Sequence, residues 1–187
     1  MIKPSGPLMV EHRLIENMVA LLKREAARIR KEDKLDLQFI DSAVDFFRTY
    51  ADKTHHGKEE DILFRRMDKK LMSPELESMR KDLVRDHVLA RAKVSSLAGC
   101  RKKYPDSAVI KEVIDIMDFL IELYPPHIQK EDIVFFPKAM KLFTEEELEA
   151  MTKEFYESDR KMIHTKYRLV IDELSNTLSL YNDEETE

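Results

Sequence analysis

His56-Gly57-Lys58-Glu59-Glu60-Asp61-Ile62-Leu63-Phe64 and His127-Ile128-Gln129-Lys130-Glu131-Asp132-Ile133-Val134-Phe135 are two versions of one phrase. In each, a histidine precedes a glutamate by four residues, and Asp-Ile-(Leu/Val)-Phe follows. Four residues turn an α-helix by about 400°, so imidazole and carboxylate lie on nearly the same face, one turn apart. A metal ion requires such a pair: a neutral nitrogen and an anionic oxygen converging from one rigid element.

Working outward, apolar residues recur in steps of three and four. Leu8, His12, Ile15, Val19, Leu22, Ala26 and Ile29 form a first stripe, with Ser5 as its expected cap and Lys31–Lys34 closing it. A second runs from Leu37 through Ile40, Val44, Phe47 and Ala51 to His56, Glu60, Leu63, Met67 and Leu71. It steps by five between Ala51 and His56, which predicts a kink or a π-bulge beside Gly57. Ser73-Pro74 is a cap with proline at the first helical position, and opens the stripe Leu76, Met79, Leu83, His87, Ala90, Val94 and Leu97. After Lys102–Asp106 comes Ile110, Val113, Met117, Leu120, Tyr124, His127, Glu131 and Val134, loosened by Pro125-Pro126. Thr144 and Glu147 make a capping box for a fifth, more polar helix to about Leu180, followed by an acidic tail.

No alternating period-two run appears. The expected fold is all-α: an up-down-up-down four-helix bundle over residues 1–143, with a C-terminal helix packed on it over 144–187. Hydrophobic residues make up 43% of the 187, enough for a core and against disorder. With 37% charged residues and only 3 glycines, long amphipathic helices with solvated outer faces are expected. The net charge of −5, with basic residues scattered among acids, argues against nucleic acid as a partner. No apolar run approaches the ~20 residues of a membrane span. One cysteine, Cys100, allows no internal disulfide, and a cytoplasmic setting is expected.

Four histidines fall on core positions, one per bundle helix: His12, His56, His87 and His127. The order Glu11-His12 … His56-xxx-Glu60 is echoed by Asp86-His87 … His127-xxx-Glu131, an approximate internal two-fold. Two buried glutamates left charged and unpaired cost several kcal/mol, so the expected set His12, His56, Glu60, His87, His127 and Glu131 calls for a cation. Imidazole with carboxylate suits Fe, Mn, Zn, Ni or Cu. Four histidines and two carboxylates exceed what one tetrahedral zinc needs and suit two ions bridged by the glutamates, with two irons the natural occupant of a bundle core.

The pattern His … His-xxx-Glu … His … His-xxx-Glu, with its local contexts, resembles the hemerythrin family, in its hemerythrin-like (HHE cation-binding) branch, over about residues 8 to 140. The resemblance implies a non-haem di-iron site, oxo- or hydroxo-bridged, with zinc or manganese as substitutes, that meets O2, peroxide or NO. The oxygen carriers of the family have a fifth histidine four residues after the third-helix ligand, where this chain has Arg91. They also use His-xxxx-Asp on the last helix, a spacing Asp132 would satisfy; the internal repeat favours Glu131, with Asp132 as its neighbour or substitute. Reversible oxygen carriage is therefore less expected than sensing, scavenging or detoxification, with peroxidase, catalase-like or NO-reducing turnover left open. The alternative is a non-enzymatic iron or oxygen sensor or store acting through a protein partner, with Phe155, Met162, Leu169 and Ile171 as the contact face.

Other residues read as ordinary structure. The repeat sets Pro126 opposite His55, which places His55 outside the ligand set. Tyr124 is read as a packing residue with a satisfied hydroxyl, His164 as exposed and Cys100 as a small buried residue, while Arg91 either pairs with a carboxylate or reaches solvent.

Overall fold

The computed structural model describes residues 4–159 and 163–183, and every regular element among them is helical. Helix α1 (Ser5–Glu32) begins behind Pro4 with no side-chain cap, so Ser5 is the first helical residue rather than the cap. It ends on Asp33, whose left-handed backbone (φ 52°) lets its N–H bond the Ile29 carbonyl. Asp36 caps α2 by accepting from the N–H groups of Gln38 and Phe39. Helix α2 starts as a regular α-helix, Leu37–Asp45, then widens into π-helical Phe46–His56 and Lys58–Phe64 before a last α-turn, Arg65–Met67. The step of five in the apolar stripe thus marks a long π-helical stretch rather than a single bulge. The Gly57 N–H bonds the Asp52 carbonyl five residues back, and Thr54 Oγ1 bonds the Thr49 carbonyl in the same register.

Ser73 caps α3 (Pro74–Cys100), and Asp106 caps α4 (Ser107–Lys130). Helix α4 continues through Pro125 and Pro126, then passes into π-helical Glu131–Phe135 and a short helical end, Phe136–Ala139 and Met140–Leu142. The expected single fifth helix is two. Glu145–Ser158 (α5), with the Thr144–Glu147 capping box, ends where Asp159 turns extended, and Ile163–Asp183 (α6) follows. Phe155 and Ile171, expected on a contact face, are buried within the chain, whereas Leu169 is exposed. Met162 and the His164 side chain lie outside the described residues.

Helix α1 packs along α4, α4 along α3, and α3 along α2, while α6 lies against α1 and the π-helical part of α2. Tyr167 pins α6 in place: its hydroxyl donates to Asp45 Oδ2 (2.8 Å), and its ring meets Phe46 and Tyr50 edge-on. The apolar core is in two pieces. One is built around Ile15, Met18, Phe47, Val94 and Leu120, the other around Leu8, Leu63, Leu83, Phe135 and Phe155. Along each of α1 to α4, a buried layer of histidines and glutamates separates the two pieces.

Candidate metal centre

Two groups of potential ligands meet in that layer. His12, His55, Glu59 and Glu131 form one, His56, His87 and His127 the other, with the ligand atoms of each group within 4.8 Å of one another. All seven residues are buried, and Glu59 and Glu131 are fully so. Five of the six residues expected from the sequence are therefore in the cluster. Glu60 is not: its carboxylate is partly exposed and accepts from His87 Nδ1 (2.7 Å) and from Arg91 (2.7 Å). Glu59 occupies the place expected for Glu60, and His55, read as opposite a proline, joins beside His56.

The π-helix explains this correction. With hydrogen bonds running to the fifth residue, each turn holds more residues, so consecutive side chains are less than the α-helical ~100° apart. His55 and His56 consequently both face the core. The true internal repeat runs 72 residues apart, one more than the matching phrases suggest: His55 with His127, Glu59 with Glu131, Glu60 with Asp132, Phe64 with Phe136. Each pair performs one job. Glu60 holds His87 Nδ1 and Asp132 holds His12 Nδ1 (2.7 Å), while Phe64 stacks on His87 and Phe136 on His12. Glu11, next to His12, holds His55 Nδ1 (2.9 Å), as Asp86, next to His87, holds His127 Nδ1 (3.4 Å). Hints in the sequence were the acid before each first histidine and the acid after each glutamate, which repeat with the ligands.

A histidine that donates Nδ1–H to a carboxylate presents a bare lone pair at Nε2. Those lone pairs point inward. The Nε2 atoms of His87 and His127 face each other at 3.2 Å, and Glu131 Oε2 lies 3.2 Å from Nε2 of both His12 and His127. Glu59 Oε2 lies 3.5 Å from His87 Nε2 and 3.7 Å from His55 Nε2. Each glutamate thus reaches ligands of both groups. Among the described residues, His12 Nε2, His55 Nε2 and all four oxygens of Glu59 and Glu131 lack a hydrogen-bond partner in good geometry. Buried polar atoms rarely stay so, and their convergence fits one cause: cations between them.

The electrostatics of the chain alone carry the same strain. Burial, then the charge of Glu131, pushes the Glu59 carboxyl well above the usual range. Burial would raise Glu131 too, but the charges and hydrogen bonds of His127 and His12 hold it well below. Burial lowers the His55 imidazole to about 4, helped by the charge of His12, and drives His56 well below its ordinary value among the other histidines. Two buried carboxylates, one pushed well above its range and the other held well below by imidazoles whose own values are raised, that of His127 to about 9, are what a cation would stabilise.

One element breaks the two-fold. The counterpart of His56 is Ile128, a buried core residue, so one group holds three histidines and the other two. Arg91 bonds Asp52 and Glu60. Tyr124 packs on Phe47, but its hydroxyl, expected to be satisfied, bonds no described residue. Cys100 is buried, and burial raises its thiol.

Among the described residues, no helix is long and apolar enough to cross a membrane. Comparison with curated proteins and with solved structures returned no significant match. The family model of the hemerythrin HHE cation-binding domain matches residues 4–139, which include every residue of the cluster and all four helices that carry it. The chain belongs to the hemerythrin HHE cation-binding family.

Proposed function

We propose that the chain is a di-iron protein that binds or reacts with a small oxidant, O2, peroxide or NO. In this reading Glu59 and Glu131 would hold both ions, with His12 and His55 holding one and His56, His87 and His127 the other. The observation that carries it is the convergence of unpartnered buried atoms from both glutamates with the inward nitrogens of the histidines. An up-down-up-down bundle is part of the proposal. Its support is the order in which successive helices pass between the two apolar clusters: α1 and α3 run one way through the polar layer, α2 and α4 the other.

Iron at such a centre supplies one- and two-electron redox chemistry toward the oxidant. The chain supplies the frame. Glu11, Glu60, Asp86 and Asp132 fix the tautomers and planes of four histidines, so that the ligand nitrogens are set before metal arrives. Phe64, Phe135 and Phe136 close the Leu8 side with apolar surface and keep bulk water out. The experiment is anaerobic loading with Fe(II), elemental analysis, then exposure to air or peroxide while near-ultraviolet charge-transfer bands are followed. Two irons per chain and new bands on oxidation are expected. One iron or none per chain would refute a di-iron centre.

A further inference from the structure

The broken two-fold lies beside a cavity that the metal frame does not use. Between the π-helical stretch of α2, α3 and α4, a space of about 190 Å³ opens to solvent. Its buried end is formed by His56 and Tyr124, its mouth by the exposed Arg48 and Ser95. Phe47, Ala90 and Val94 make apolar walls. A narrower gap, also lined by His56, Ala90 and Tyr124, continues to His87 and His127.

Its size and chemistry exceed what a diatomic gas requires. An apolar cavity of about 150 Å³ is enough to hold benzene. Two buried polar groups at the inner end have no partner among the described residues: His56 Nδ1, which lies 3.6 Å from Asp52, and the Tyr124 hydroxyl. At the side, the Arg91 charge is already answered by Asp52 and Glu60. Arg48 forms no ion pair among the described residues, which leaves one uncompensated positive charge at the mouth. Apolar walls, one free cation outside and hydrogen-bonding groups inside describe a particular kind of guest.

We infer that this cavity binds a small organic carboxylate about the size of a single aromatic ring, with its carboxylate on Arg48, its body between Phe47 and Val94, and its inner edge toward Tyr124 and His56. The inference deepens the proposed function by placing an organic ligand next to the three-histidine half of the centre, and it rests on that reading only for what the inner edge meets.

Isothermal titration of the whole chain with benzoate, in metal-free and iron-loaded forms, tests it. Saturable one-to-one binding is expected in both, at least tenfold weaker for the neutral isostere benzamide and for Arg48→Glu, the loss of one charge-assisted contact. Ser95→Phe, on an exposed helix face, should plug the mouth and reduce binding by a similar factor. Both variants should keep wild-type helical circular dichroism, since neither side chain is in the core. Absence of saturable binding to either form, or equal binding by wild type and both variants, overturns the pocket. In the iron-loaded chain benzoate should shift the charge-transfer bands. Binding that leaves those bands unmoved overturns the position beside the centre, and a chain that takes up no iron still decides the pocket through the metal-free titration.

Discussion

In the half of the centre built by α1 and α2, Glu11 holds His55 and is itself held by Lys58, whose ammonium also pairs with Asp159 at the end of α5. In the half built by α3 and α4, Asp86 holds His127 and Lys130 stands 3.9 Å away. Lysine, acid and histidine follow one another in both, 72 or 75 residues apart. The covering differs. Lys58 is 1% exposed and Glu11 1%, whereas Lys130 is 37% exposed and Asp86 15%. Asp159 covers Lys58 in the first half, and a cavity of about 490 Å³ lined by Glu11, Tyr50 and Asp159 opens beside them; in the second half Lys130 and Asp86 lie nearer solvent. A shared frame thus has one deeply buried lysine–acid support and one nearer solvent, and the third histidine, His56, lines a separate cavity of about 190 Å³.

The comparison breaks most severely at the glutamates. Glu59→Gln should abolish tight iron binding, because a bridging anion is lost. Glu60→Gln should keep two irons per chain with affinity down about 10- to 100-fold, since it removes only the support of His87. Elemental analysis after dialysis against a weak chelator separates them, and equal iron retention would restore Glu60 to the ligand set. Next come the lysines. Lys58→Met leaves Glu11 and Asp159 without their buried cation and should cost about 3–5 kcal/mol in denaturant unfolding. Lys130→Met, half in solvent, should stay within about 0.5 kcal/mol. Similar losses would show that the two halves are covered alike.

The smallest effect concerns the clamp that holds α6 against α2. Partial burial alone would raise the Asp45 carboxyl, but hydrogen bonds from Lys166 and Tyr167 hold it below its ordinary value. A depressed folded value means the contribution is fully present above the unfolded carboxylate range and fades as pH falls through the folded value. Asp45→Asn should therefore flatten the acid limb of the stability curve slightly, in thermal melts from neutral pH downward, and leave the neutral and alkaline region parallel to wild type.

Much of this centre was legible. His12, His87 and His127 sit on regular α-helical stretches, where a 3.6-residue period places side chains correctly, Glu131 opens the π-helical turn one step after them, and the caps Ser73 and Thr144 fall where turn chemistry puts them. The failure was confined to one turn. Matching Glu-Asp-Ile-x-Phe aligns the two phrases by residue identity and so points to Glu60, where the fold buries Glu59 in the cluster. A step of about 100° per residue holds only in an α-helix, and between Phe46 and Phe64 the backbone is π-helical. The step of five from Ala51 to His56 signalled the widening, but not that it would rotate both His55 and His56 inward. The division of the C-terminal region was hidden for a different reason: no proline or glycine marks the turn at Asp159, which is bound instead by the distant Lys58.

The polar layer between the two apolar clusters has a consequence for cooperativity. A continuous core transmits destabilisation from end to end, so small domains melt in one step. Here the Ile15 cluster and the Leu83 cluster communicate through a sheet of unsatisfied donors and acceptors. Filled with cations, that sheet is a rivet; stripped of them, it is a seam. The apo chain should accordingly come apart as two calorimetric units where the loaded chain melts as one, and the ions would be as much a part of the fold's mechanical unity as of its chemistry.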